Sequence, residues 1–94
     1  MITPRQIRAA RALLDLNRAQ LASLAGISVT GLANIESAFA DPKVSTLRAI
    51  QDALESAGVE FIAENGGGPG VRLRKAQPDP DTIPSDQLNA SNDE

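Results

Sequence analysis

Apolar residues in the first sixty positions recur three and four apart, and those after them roughly two apart. Ile7, Ala10, Leu13 and Leu14 follow Thr3-Pro4-Arg5-Gln6, where Thr3 can cap a helix, Pro4 fits its first position and Gln6 can close a capping box. That pattern predicts a helix over 4–14. Asn17 and Gln20 repeat the cap-plus-three spacing, and Leu21, Ala22, Leu24 and Ala25 supply a short apolar face. A second helix is therefore predicted over about 18–25, stopped by Gly26, which tolerates the left-handed geometry that follows a helix end. Ser28 caps a third, about 28–37, with Leu32 and Ile35 turned inward. In "AFADPK" the proline at Pro42 disfavours helix at Asp41, which makes a loop. A fourth helix, about 44–57, carries Val44, Leu47, Ile50, Ala53 and Leu54 on one face and ends at Gly58. Alternation by two in 59–63 and 71–74, on either side of "ENGGGPG", then predicts a β hairpin. From about residue 77 the chain has too few apolar groups to offset ordering entropy, and disorder is expected there.

The resulting fold class is mainly α with a short C-terminal hairpin. Three parts are expected: a helical domain at 1–58, a hairpin extension at 59–75 and an acidic tail at 76–94. Ninety-four residues leave no room for a second fold.

Composition narrows the chemistry. The chain has no cysteine and no histidine, which removes disulfides, thiol nucleophiles, imidazole bases and the usual transition-metal ligands. No acid pair or nucleophile stands out either, so neither an enzyme nor a cofactor is expected. No apolar run exceeds three residues, too short for a membrane span or a secretory core; the expected place is the cytoplasm. The net charge of −3 conceals an asymmetry. Residues 1–75 hold all nine Lys and Arg against seven acids, a balance of +2, whereas residues 76–94 hold five acids and no base. A mildly basic body with an acidic tail remains compatible with a polyanionic partner.

The second and third predicted helices, joined by a turn at Gly26, form a helix-turn-helix. With Leu32 and Ile35 inward, Val29, Thr30, Ala33 and Asn34 face out, and none of them is charged. A helix that enters the major groove must be slim, and it reads base edges with short polar and methyl-bearing side chains near its N-terminus. The helix dipole and the free amides after Ser28 also favour phosphate.

The stretches "ARALLDLNRAQLASLAGISVTGLANIE" and "TLRAIQDALESAGVEF" resemble the Cro/repressor-type, or XRE-type, helix-turn-helix transcriptional regulators. The matching pattern is Leu21-Ala22, Gly26-Ile27-Ser28, Leu32 and Ile35-Glu36. "VEFIAENGGGPGVRLRK" is similar to the extension of a bacterial subset of them. The resemblance implies a four- to five-helix, lambda-repressor-like domain that binds double-stranded DNA. It implies that Ser28, Val29, Thr30 and Asn34 face bases, with Asn34 able to contact adenine and the methyls of Val29 and Thr30 able to touch thymine. Asn17, Arg18 and Lys43 match positions that touch phosphate. Arg11 and Glu36 match a structural ion pair, and a cation is expected there in any case because Glu36 lies near the negative end of its helix. Asp15 and Ala38 stand where the family commonly has glycine, and Gly31 where it has a small polar residue.

Other features have plainer readings. "NGGGPG" lacks the Gly-Lys-Ser/Thr ending of a phosphate loop, so it reads as a hairpin loop. Arg5 and Arg8 either steer phosphate or form a solvated face, the second being preferred. Arg72, Arg74 and Lys75 either touch DNA or face Glu60 and Glu64 across the hairpin, again with preference for the second. A lone hairpin is marginal in water, and its edge invites a partner. A homodimer through 59–75, using Phe61, Ile62, Val71 and Leu73, is therefore expected, and with it a near-palindromic operator. The rival reading is an antitoxin-like or other protein-interaction module whose DNA binding is autoregulatory, with the acidic tail meeting the protein partner.

Overall fold

The computed structural model describes residues 1–74; Lys75 and the acidic tail expected at 76–94 lie outside them. Helix α1 (Pro4–Leu14) is followed by α2 (Arg18–Ala25), α3 (Val29–Glu36) and α4 (Val44–Ala57), then by strands β1 (Val59–Ile62) and β2 (Gly70–Leu73). The fold is mainly α with a short antiparallel hairpin.

The first three helix starts follow from their caps. Thr3 Oγ1 accepts from Gln6 N at 3.2 Å while Gln6 Oε1 accepts from Thr3 N at 2.8 Å. Asn17 and Gln20 repeat the exchange at 2.7 and 2.9 Å. In both cases two amides that a helix end leaves unpaired are satisfied at once. Ile2 and Ile7, at 7% and 0% exposure, occupy the two positions of a hydrophobic staple around the first cap.

Two of the turns depart from easy backbone geometry. Gly26 takes φ 73°, but Asp15 after α1 and Ala38 after α3 take φ 56° and 61° without being glycine. A left-handed L-residue costs roughly 1–2 kcal/mol, and alanine has no side-chain polar group to offset it. The fold accepts that cost because each turn is held by amides: Leu16 N donates to Arg11 O at 3.0 Å, and Phe39 N donates to Asn34 O at 2.9 Å.

The core joins every element. Ile7 and Ala10 of α1, Leu21 and Ala22 of α2, Leu32 and Ile35 of α3, Ile50 and Leu54 of α4, and Val59 of β1 are all buried. In the hairpin, Val59 pairs with Leu73, Glu60 with Arg72, Phe61 with Val71 and Ile62 with Gly70. Directly opposed residues share a face, so Val59, Phe61, Val71 and Leu73 form the apolar side. Most of that side lies on the protein's own helices, with β2 along α1 and β1 against α4 and α1, while Leu73 at its end is exposed. Phe61 and Val71 are half-buried there. Gln6 fastens the sheet from below: its Nε2 donates to Gly70 O at 2.8 Å.

Three apolar residues expected inside lie outside. Leu13 is 40% exposed, Leu24 58% and Val44 65%. Leu13 is on the flank of α1 that carries Gln6, two turns further along, past the point where Gln6 meets the hairpin. In α2 the inward residues are Leu21, Ala22 and Ala25, which leaves Leu24 on the other side of a two-turn helix. Val44 points roughly 90° away from the mean direction of Leu47, Ile50 and Leu54 at 100° per residue.

Candidate nucleic-acid interface

The outer side of α3 is open and uncharged. Ser28, Val29, Thr30 and Asn34 are all exposed, Val29 at 46%, while Leu32 and Ile35 hold the opposite side in the core. Ser28 Oγ accepts from Gly31 N at 2.9 Å, and this cap fixes the first turn. A Cβ at Gly31 would lie 2.9 Å from that hydroxyl, so glycine leaves the cap undisturbed. At the far end, Asn34 O accepts from both Phe39 N and Ala40 N, which ties the following loop to the helix. Phe39 itself is 87% exposed.

Glu36 sits behind this face with no side-chain exposure. Arg11 Nε donates to Oε2 at 2.7 Å and its Nη2 to Oε1 at 2.9 Å. Arg18 Nε donates to Oε1 at 2.8 Å. Arg8 Nη1 donates to the Glu36 carbonyl, one of those left free at the end of α3. Burial by itself raises the pKa of the Glu36 carboxyl; hydrogen bonds from Arg11 and Arg18, together with their charges, outweigh it and hold the carboxyl below its usual value. The structure thus brings Arg11 and Glu36 together, and adds Arg18, which sequence reading assigned to phosphate alone. Arg8, read as a solvated residue, is a cap for α3. The available signal was its spacing: Arg8 and Arg11 are three apart on α1 and reach the same place.

The other candidate side chains are spread out. Asn17 is exposed, its Oδ1 occupied by Gln20 N and its amide NH2 free to donate. Lys43 is the exposed N-cap residue of α4 and makes no side-chain cap bond. Arg72 Nε meets Glu60 Oε1 across the hairpin at 2.6 Å. Arg74 does not face Glu60 or Glu64; its Nη2 donates to the carbonyls of Glu55 and Val59, because a cation is favoured at the carbonyl end of α4. Among the described residues no group of three or more acids gathers where it could hold a metal ion.

A family model described as helix-turn-helix matches residues 7–61, more than half of the chain. The chain belongs to the Cro/repressor-type (XRE) helix-turn-helix family. No match is found among curated proteins. The match runs from the end of the first turn of α1 to Phe61 in β1, so it includes α2, α3 and all three residues of the Glu36 ion cluster. The family is one of DNA-binding regulators and is not typically enzymatic. No helix among the described residues is long and apolar enough to cross a membrane.

Proposed function

We propose that the chain binds double-stranded DNA in a sequence-specific manner as a homodimer and regulates transcription from a near-palindromic operator. The observation that carries this reading is the exposed, uncharged side of α3, at Val29, Thr30 and Asn34, on a helix whose opposite side is fully engaged in the core. In this reading Ser28, Val29, Thr30 and Asn34 touch base edges. Asn34 offers the donor and acceptor that adenine needs, and the methyls of Val29 and Thr30 suit thymine. Asn17, Arg18 and Lys43 grip phosphates, which supply affinity without sequence choice.

The unit at 1–58 reads DNA, and the hairpin at 59–75 joins two copies. Phe61 and Val71 already rest partly on the helices, so pairing runs through the free strand edges, with Ile62 beside that of β1 and Leu73 beside that of β2. Leu73 is 52% exposed. A two-fold axis then sets two α3 helices in successive major grooves.

Selection from a random-sequence duplex pool tests the proposal. Enrichment of an inverted repeat by the native chain, and loss of that enrichment by Asn34→Ala, is the expected result. Enrichment of the same repeat by Asn34→Ala would remove α3 from the reading role. A second reading, an antitoxin-like module whose main partner is a protein, draws on the exposed apolar side chains of Phe39 and Val44. Pull-down of one stoichiometric protein partner that survives Asn34→Ala would favour it.

A further inference from the structure

The Glu36 cluster contains two arginines and one carboxylate, and its charge is not evenly distributed. Arg11 covers both carboxylate oxygens and is 19% exposed; Arg18 touches only Oε1 and is 43% exposed. With the carboxylate already compensated by Arg11, the surplus positive charge of the cluster reaches solvent at Arg18. The guanidinium of Arg18 is also oriented, because its Nε–H is the atom committed to Glu36. The two Nη groups, with four N–H donors, make no hydrogen bond within the protein among the described residues. They form the flat fork that matches two oxygens of a phosphate. Arg18 is the first residue of α2 and lies directly after the Asn17 cap, where unpaired helix amides add to the attraction for an anion.

We infer that Glu36 is a positioning residue for DNA binding: it holds Arg18 by Nε so that the remaining edge of the guanidinium clamps a backbone phosphodiester. The inference rests on the DNA-binding reading above and gives Glu36 a role besides joining α3 to α1. Glu36 touches no nucleic acid in this arrangement. It acts by removing the rotational freedom that a solvated arginine would lose on binding.

The test uses full-length protein and short mixed-sequence DNA duplexes, because a phosphate clamp does not depend on which operator is bound. Binding is measured against salt concentration for the native chain, Glu36→Gln, Arg18→Lys and Arg18→Gln, with thermal unfolding as a check on the fold. Glu36→Gln keeps Arg18 but loses the charged grip on its Nε, so it is expected to keep the native slope and bind more weakly despite the lost negative charge. Native affinity in a folded Glu36→Gln would overturn the positioning role. Lysine keeps the charge and loses the fork, so Arg18→Lys is expected to keep the native salt slope and bind about tenfold more weakly. Arg18→Gln is expected to bind more weakly still, with a slope shallower by about 0.9. A merely structural Arg18 would change the melting temperature and leave the slope alone. Native affinity in Arg18→Lys, or a native slope in Arg18→Gln, would overturn the clamp while leaving the DNA reading in place. A native chain with no affinity for any duplex would overturn both.

Discussion

Arg11 grips Glu36 at two points, 2.7 and 2.9 Å, across the contact between α1 and the end of α3. The carboxylate has no exposed side-chain surface, so nothing except its arginines compensates it. Removing one partner of a buried pair costs about 3–5 kcal/mol. Arg18 remains in Arg11→Met, so a loss near the lower end, about 3 kcal/mol, is expected in urea denaturation. Replacing both partners, as in Arg11→Met with Glu36→Leu, should recover most of it, because no uncompensated charge is then buried. Equal losses in the single and double variants would show that the pair's charge is not what the fold depends on.

The same carboxylate makes stability depend on acid. Its pKa lies below the usual 4.5 in the folded chain, so as pH falls the unfolded chain takes up the proton first. The contribution is therefore complete above about 4.5 and is lost as pH drops through the lower folded value. Urea midpoints taken from neutral pH down into the acid range should fall more steeply for the native protein than for Glu36→Gln. Parallel curves would mean that another group governs acid unfolding.

Ala38 offers a gain. Its φ of 61° costs an alanine roughly 1–2 kcal/mol, and glycine's freer unfolded chain returns about 0.4–1 of that. Ala38→Gly should thus stabilise the protein by about 1 kcal/mol, a rise of about 5 °C in melting temperature for a domain of this size. Asp15→Gly should gain less, since aspartate tolerates left-handed backbone better than alanine. A fall in melting temperature on Ala38→Gly would mean the methyl has packing value that outweighs its strain.

Gly31 behaves differently, since its backbone is helical and its constraint is the hydroxyl of Ser28. Gly31→Ala gains about 1 kcal/mol of helix propensity and loses about as much by displacing the cap. The net change should be close to zero. In a Ser28→Ala background, where no cap remains to lose, the same substitution should stabilise by about 1 kcal/mol. A four-member thermal cycle measures the difference, and additive effects would show that the glycine and the cap act independently.

Much of this fold is legible along the chain because it is local. Thr3 with Gln6, Asn17 with Gln20, Ser28 and Gly26 each act within four residues, and the structure uses all of them as helix boundaries. What the sequence could not convey is reach between elements. Leu13, Leu24 and Val44 fit a helical stripe on paper, but exposure depends on where a neighbour stops. Arg74 carries no hint that α4 ends beside it, nor Arg18 that its Nε would be taken by a residue eighteen positions later. The uncharged side of α3 was readable because Leu32 and Ile35 fix the helix's rotation, and everything else on it follows by geometry.

Gln6 satisfies the α1 cap with its oxygen and holds Gly70 with its nitrogen. If two copies meet through their hairpins, the tilt of each hairpin on its own body decides how far apart the twin reading heads stand. One glutamine, which reads no base, would then help meter the number of base pairs between half-sites.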